Sequence, residues 1–391
     1  MKKIVLFLFI SFIFILVSCK RQTLPVDFYG VKLDSFKSIY GGSGNEIISS
    51  IIVSSDGNYS FTGTTTTLSN GGQDVYLGQT DQNGNLLWTK AIGGASSDGG
   101  SDIIETPDHN LLIAGYSKSF NAQNFYQIYL VKTDFQGNII WQKTIGDGGS
   151  ALKIMPSNTN DGYIITGGSA GLFTLLGTKV YVAKIGFDGT LVWSNSYSTG
   201  NEEIGKSICY DNSGNILILS SPEFESSSND EYLLKLNSIG DSIWTKTFTA
   251  NGYEDAGSII SNGNNTFMLG SSGTMTNPLG IVSFNKLDNS GNIIAPYTFQ
   301  SNFTYSGNSL IQTSDNNFLI TGAKSDSTGI SSEYLTKLNS NGVPLWSKSF
   351  GDSLSYSPNI VIETTDSYLM GGAVTYPSGS TDAVIVKVKK Q

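Results

Sequence analysis

Asp134-Phe135-Gln136-Gly137-Asn138-Ile139-Ile140-Trp141-Gln142-Lys143-Thr144-Ile145-Gly146 is a turn followed by a short apolar strand that carries a tryptophan and ends at a glycine. The chain writes this phrase repeatedly. Trp88, Trp141, Trp193 and Trp244 are spaced by 53, 52 and 51 residues; a further 51 lands on Ala295, and another 51 on Trp346. Stepping back 52 from Trp88 gives Phe36, just ahead of Tyr40-Gly41-Gly42. That makes seven units, one with the aromatic lost at Ala295 and one with it substituted at Phe36. A fixed period of this size marks a fold of stacked repeats.

Within each unit four strand-like segments follow one another. The first, such as residues 47–54, leads into a turn: Asp56-Gly57-Asn58, Asp108-His109-Asn110, Asp161-Gly162 or Asp315-Asn316-Asn317. Asp, Asn and Gly tolerate the left-handed conformations of tight hairpins. The second strand is short and ends at Gly63, Gly115, Gly167, Gly270, Gly322 or Gly372, with Ser220 once in their place. A variable loop, a third strand, a second turn and the tryptophan strand complete the unit. No segment of ten or more residues carries helical periodicity. Four short antiparallel strands repeated seven times predict an all-β, seven-bladed β-propeller. Radial stacking also suits a 391-residue chain that is too long for one ordinary core.

The two ends of the chain are complementary. The last repeat stops after its third strand, and the N-terminal repeat supplies a fourth strand with no first three before it. Residues 33–40 are therefore expected to complete the seventh blade beside residues 383–388, closing the ring. Lysines recur on the outer two strands, as Lys90, Lys143, Lys246 and Lys348, and as Lys132, Lys184, Lys235, Lys286, Lys337 and Lys387. They are expected to protect sheet edges from pairing; the alternative is a basic rim for anionic lipid or glycan.

Ahead of the repeats, Met1-Lys2-Lys3 precedes an apolar run over 4–17, too short for the ~20 residues of a membrane span. Behind two lysines it reads as a secretory signal peptide. It ends in Leu16-Val17-Ser18-Cys19, which resembles the bacterial lipobox, where the cysteine is acylated and becomes the mature N-terminus. The alternative is an ordinary signal peptide with an incidental cysteine. A multiply acylated Cys19 anchors stably, at ~0.8 kcal/mol per buried CH₂. Residues 1–18 are thus expected to be the lipoprotein signal peptide, 19–32 the lipidated cysteine and tether, and 33–391 the propeller. Lys20, not aspartate, follows the cysteine, and by that resemblance the location is the bacterial cell envelope at the outer membrane.

Loss of Lys2 and Lys3 takes the 23 basic residues to 21 against 32 acidic ones, a net charge of −11. No basic stripe is present, which sets nucleic-acid binding aside. Cys209 alone remains after Cys19, so no intrachain disulfide forms, and it reads as a small buried hydrophobe.

The full pattern, Gly-Gly…Asp-Gly-x-Tyr…Gly…Lys-x-Asp-x-x-Gly-Asn-x-x-Trp, resembles the bacterial propeller repeats of about 50 residues found in secreted and lipid-anchored envelope proteins. The resemblance covers residues 33–391. It implies a propeller and carries no defined activity. The short phrase around Trp141 also looks like the tryptophan-docking repeat of quinone-cofactor propellers and of the propeller lipoprotein of outer-membrane assembly.

Chemistry-bearing residues are sparse. His109 is the sole histidine and lies in a turn, leaving no Ser-His-Asp triad or histidine metal cluster to build. Carboxylates recur ahead of the first strands at Glu46, Asp98, Glu203, and Glu254 or Asp255, of which Asp255 is taken, with Asp147 a stand-in for the third. They are placed at one mouth of the central channel, as a site for Ca²⁺ or a cationic ligand. The alternative is that each bonds backbone N–H groups of its own loop. Ser50, Asp102, Ser207, Ser258, Ser309 and Asn359 are expected to face a polar channel. The variable loops carry Phe120, Phe125, Phe173 and Phe224, suited to stacking on sugars or anchoring a protein, unless they pack within their own loops.

These readings favour a monomeric, lipid-anchored envelope propeller that binds a protein or glycan, with the membrane as its other partner. A glycan lyase or hydrolase using the channel-mouth carboxylates is the alternative, and a quinone-cofactor or assembly propeller a third.

Overall fold

The turn that opens the tryptophan phrase is held by its own aspartate. The Asp134 carboxylate accepts the backbone N–H groups of Gln136 at 3.0 Å and Asn138 at 2.8 Å, and Asn138 Nδ2 donates to its second oxygen at 2.8 Å. A side chain bonded this way imitates a backbone turn. Gly137 sits at φ +73°, a left-handed conformation that costs a glycine little. The same turn recurs at Asp81 with Asn85 and at Asp288 with Asn292. This computed structural model describes residues 35–146, 148–169, 178–198, 203–222, 230–249, 253–263, 265–274, 277–299, 304–325 and 328–390.

Seven antiparallel sheets result, with strands in chain order from the axis outward, and no helix occurs among the described residues. Blade 1 is Glu46–Val53, Tyr59–Thr65, Asp74–Thr80 and Leu86–Ile92. Blades 2 to 6 repeat it, with first strands starting at Asp98, Gly149, Glu203, Tyr253 and Thr304. Blade 7 takes Ser355–Glu363, Ser367–Thr375 and Thr381–Lys389 from the C-terminal end. Its fourth strand is Phe36–Tyr40, paired from Phe36 with Lys387 to Tyr40 with Ala383. The ring closes as the chain ends predict; residues 33 and 34 lie outside the described residues.

Every first strand is kinked at one place. An extra residue interrupts the register between Ile48 and Ser50 in blade 1, and at the equivalent point of blades 2 to 5 and 7. In blade 6 the strand breaks there into Thr304–Tyr305 and Ser309–Gln312. Such a bulge swings a carbonyl across the sheet. A Cβ on Gly63, Gly115, Gly167 or Gly322 would lie 1.8, 1.9, 2.0 or 1.7 Å from that oxygen. The glycine of the second strand follows from this crossing in these four blades. Residues just after the bulge bond the neighbouring blade. Ser50 donates to Asp102 at 2.7 Å, and the N–H groups of Ile154, Ile259 and Val361 donate to Asp102, Ser207 and Ser309 at 3.1, 3.1 and 3.2 Å. Ser50, Asp102, Ser207 and Ser309 are buried at the blade interfaces, and of the six small polar residues expected at the channel, Ser207, Ser258, Ser309 and Asn359 line it.

The tryptophans make the outer seams. Trp88, Trp141, Trp193 and Trp244 each lie on the turn glycine of the following blade, where a Cβ on Gly137, Gly189, Gly240 or Gly291 would meet the ring at 2.7, 2.6, 2.9 or 2.6 Å. Phe36 lies the same way on Gly84. Blade 5 corrects the sequence reading. Ala295 has not lost the contact: Tyr297, two residues on and on the same face, covers Gly342. Blade 7 has no turn of this kind, and Trp346 meets Tyr368 there, ring centroids 6.2 Å apart.

The third-strand lysines do not guard edges, because the fourth strand covers that side of the sheet. They are largely buried and pair with the aspartate of their own first turn: Lys132 with Asp108, Lys184 with Asp161, Lys235 with Asp211 and Lys337 with Asp315, at 2.5–2.8 Å. The Lys184 ammonium holds the Asp161 carboxyl down at about 2. On the fourth strands, Lys90 and Lys246 donate across the seam to Asn138 and Asn292.

Gly137→Ala combines a left-handed alanine, about 1–2 kcal/mol, with overpacking against Trp88, about 1–3 kcal/mol. Gly379→Ala keeps the first cost alone, for Gly379 has φ +86° and nothing within 4 Å of an added Cβ. Urea unfolding is expected to show Gly137→Ala as clearly the more destabilising of the two; equal losses would remove the seam contact from this account.

Candidate functional site

Three of the four recurring carboxylates are buried and already bonded or enclosed. Glu46 accepts from the Gly42 N–H at 2.9 Å and from the Thr65 and Thr67 hydroxyls at 2.9 and 2.5 Å. Asp98 accepts from the Gly94 N–H at 2.8 Å and the Ser119 hydroxyl at 2.6 Å. Glu203 is buried as well. Glu46 and Asp98 tie the blade-to-blade linker to the loop after the second strand, so these acids do not ring an open mouth. The fourth member needs correcting. Glu254 pairs with Ser272 in the register that pairs Glu46 with Thr65, and Asp255 is one residue further along, on the opposite face. Asp147 lies outside the described residues. Tyr305 and Tyr356 hold the equivalent positions in blades 6 and 7.

Two linkers pack this acid against a second one, Asp98 against Asp74 and Glu46 against Asp382. A Cβ on Gly93 would fall 2.2 Å from Asp74 Oδ1 and 2.5 Å from Asp98 Oδ2, so only glycine lets the two buried carboxyls meet. Asp74 Oδ1 has no donor, and burial followed by the Asp98 charge raises the Asp74 carboxyl. Asp382 is raised in the same manner, by burial and by Glu46.

Two further acids stand where the repeat is otherwise apolar. Glu231 and Glu333 occupy the third-strand position held by Val75, Ile128, Val180, Val282 and Ala383. They are 3% and 1% exposed. Neither oxygen of Glu333 has a hydrogen-bond partner among the described residues. Burial pushes the Glu333 carboxyl up to about 8 despite nearby Lys37, and burial pushes Glu254 up to about 7. Aligning the repeats on Trp would have exposed both acids.

The channel holds about 500 Å³ and is lined by bulge residues, among them Ser49, Ser101, Lys206, Asn308 and Asn359. Asp255 reaches it, 3.7 Å from Lys206, and Lys153 stands 3.6 Å from Asp102. Among the described residues no group of three or more His, Cys, Asp or Glu side chains gathers to hold a metal ion.

A second opening of similar size lies at the closure seam between blades 7 and 1. It measures about 420 Å³ and is walled by Tyr40, Tyr76, Leu68 and Leu86, with Thr67, Thr89, Ser38 and Glu46 as polar lining. Its origin is visible at the next seam. There Phe120 packs on Tyr129 with centroids 5.3 Å apart, Gln142 accepts from the Tyr129 hydroxyl at 2.6 Å, and Lys90 crosses to Asn138. The closure seam has Leu68, Thr89 and Ser38 at these places, all shorter. Leu68 and Leu86 remain 54% and 45% exposed. The opening was not anticipated from the sequence, because it arises from three small substitutions on three different strands and loops.

Of the loop aromatics, Phe120 is partly covered by Tyr129, and Phe125 is 52% exposed. Phe173, Phe224 and Cys19 lie outside the described residues. His109 is exposed and bonds Glu105 at 2.9 Å. Cys209 packs against the Leu217, Leu219 and Leu233 cluster, and burial pushes its thiol up to about 12.

No protein-family model matches the sequence, and no curated protein matches it. The structure is similar to a protein of unknown function from Dyadobacter fermentans, with TM-score 0.52 and 10% identity over 90% of this chain and 97% of that one. It is also similar to a puromycin hydrolase, with TM-score 0.54 and 9% identity over 87% of this chain and 53% of that one. Sqt1 from Chaetomium thermophilum gives TM-score 0.50 and 11% identity over 90% and 98%. At such identities the likeness is one of fold: a seven-bladed propeller of four-stranded blades.

Glu333 generates a pH dependence. Folded, it keeps its proton up to about pH 8; unfolded, it ionises near 4.5. Unfolding therefore releases a proton between those values. The contribution is complete below about 4.5 and lost by about 8, falling by up to about 1.4 kcal/mol per pH unit. The melting temperature is expected to drop from about pH 5 to about pH 8, and to drop less in Glu333→Gln. A wild-type melting temperature that is flat or rising over this window would contradict the buried neutral acid.

Proposed function

We propose that this protein is a lipid-anchored binding module of the bacterial envelope, held at the outer membrane through Cys19, whose closure-seam cleft receives part of a protein or glycan partner. The cleft carries the reading. It has the volume for one ring or one large side chain, apolar walls with a few polar groups, and a rigid frame of two blades, which are the usual features of a ligand site. A sugar ring or an aromatic side chain fits between Tyr40, Tyr76 and Leu86. A lyase or hydrolase working through Glu46 and Asp98 is less well supported, since both already accept hydrogen bonds from linker and loop.

Giving the cleft the residues of its neighbour seam tests this. In Leu68→Phe with Ser38→Lys, affinity for whichever glycan or peptide an array shows wild type to bind is expected to fall by about tenfold or more, with the melting temperature kept. Unchanged affinity, or a wild-type chain that binds neither array, would contradict the proposal. So would loss of binding in Lys206→Ala alone.

A further inference from the structure

The residue just after the first-strand bulge locks three of the blades to the next. Asp102, Ser207 and Ser309 stand there, and each accepts an N–H group of the following blade, from Ile154, Ile259 and Val361. By the same register blade 3 has Lys153 there, paired with Thr166 past its bulge as Asp102 is paired with Ala114. An ammonium group accepts no hydrogen bond, so Lys153 cannot make this lock. The bulge residue itself is Ser49, Ser101, Leu152, Gly257 and Asn359 in blades 1, 2, 3, 5 and 7, but Lys206 in blade 4. Two lysines thus break the repeat on adjacent blades, one residue apart in register. A position that departs from the rule its repeat obeys is where function is expected.

Both lysines line the central channel. The acids beside them lie too far away to take a hydrogen bond, Asp102 at 3.6 Å from Lys153 and Asp255 at 3.7 Å from Lys206. Asp102 is also committed elsewhere. One of its oxygens takes the Ser50 hydroxyl at 2.7 Å and the other takes the Ile154 N–H at 3.1 Å. Asp255 accepts the Ser221 hydroxyl at 3.1 Å. Among the described residues neither ammonium group has a hydrogen-bond acceptor, and each carries three donors. The opposite wall is neutral. Asn308 and Asn359 spend their amide N–H groups on the Pro358 and Ile48 carbonyls at 2.6 and 2.8 Å, which leaves their side-chain oxygens to accept.

We propose that the channel is a second binding site, independent of the closure cleft, for a small sugar acid whose carboxylate is held by Lys153 and Lys206. Two ammonium groups with unspent donors call for an acceptor-rich anion, and hydrogen bonds to a charged acceptor are the strong ones. The neutral wall sets the rest of the ligand. Side-chain oxygens of Asn308 and Asn359 and the hydroxyls of Ser49 and Ser101 suit the hydroxyl groups of a sugar ring. The volume of about 500 Å³ falls within the range of about 300–1,000 Å³ usual for ligand sites. With a net charge of −9 the chain gives an acid no long-range attraction, so affinity comes from these contacts.

Calorimetric titration of the full-length chain in detergent with galacturonate, galactose and acetate tests the site. Galacturonate is expected to bind with a Kd on the order of 0.1–1 mM, and galactose and acetate at least about tenfold more weakly. Lys153→Met and Lys206→Met are each expected to weaken galacturonate by about tenfold or more at unchanged circular dichroism. Lys206 is the bulge residue and makes no hydrogen bond among the described residues, so its variant reads the site even if Lys153→Met disturbs the fold. Leu68→Phe with Ser38→Lys, which fills the closure cleft, is expected to leave galacturonate affinity unchanged, so each site succeeds or fails apart from the other. No galacturonate binding up to about 10 mM would overturn the proposal. Galactose or acetate binding as tightly as galacturonate would overturn it too, as would full affinity in either lysine variant.

Discussion

An aromatic ring laid on a bare glycine is the contact on which this structure depends. The turn after each third strand needs a left-handed residue, and glycine supplies it. The same glycine leaves a gap the width of a side chain, and the outer strand of the preceding blade fills that gap with a ring. The contact is made in the same sense at six of the seven seams, and Trp346 against Tyr368 takes its place between blades 6 and 7, so the seams form a cycle. Phe36 closes the cycle on Gly84, and Tyr40 reinforces it by donating to the Gly84 carbonyl at 2.9 Å. A ring built this way has no end blade.

Closure also sets where the molecule departs from its own symmetry. The strand that closes the ring comes from the opposite chain end and carries Ser38 where four of its six counterparts carry lysine. Together with Leu68 and Thr89 it leaves a cleft at the one seam made of two chain termini. Lys37 of the same strand reaches across to Asp352 at 2.9 Å, beside the buried Glu333. Ionisable groups thus collect at linkers and seams, where glycine spacing lets paired acids meet. Burial raises the Asp74 and Asp382 carboxyls and pushes Glu333 up to about 8, so the stability these acids provide is greatest at acidic pH and falls as pH rises.

The architecture was legible because it is written in a period. Tryptophan spacing counted the blades, and the missing strand at one end matched the surplus strand at the other. What the period hid was direction. Sequence alignment placed Glu46 and Asp98 at equivalent points but not the way their side chains faced, and a one-residue difference moved the blade 5 member from Asp255 to Glu254. Ala295 looked like a lost contact because spacing does not reveal that Tyr297 shares its face. The third-strand lysines looked like edge guards because their partners lie some 22–24 residues away in another turn. The cleft is a product of one seam, which juxtaposes residues that no local pattern joins.

The central claim is that the seven seams act as one closed cycle. Native-state hydrogen exchange on Phe36→Ala, followed blade by blade against the wild-type chain, tests it most directly. If the cycle is real, removing this one ring lowers protection in all seven blades by a similar free energy, including blades 3 and 4 across the ring. Loss confined to the strands of blades 7 and 1, with the rest exchanging as in wild type, would contradict it.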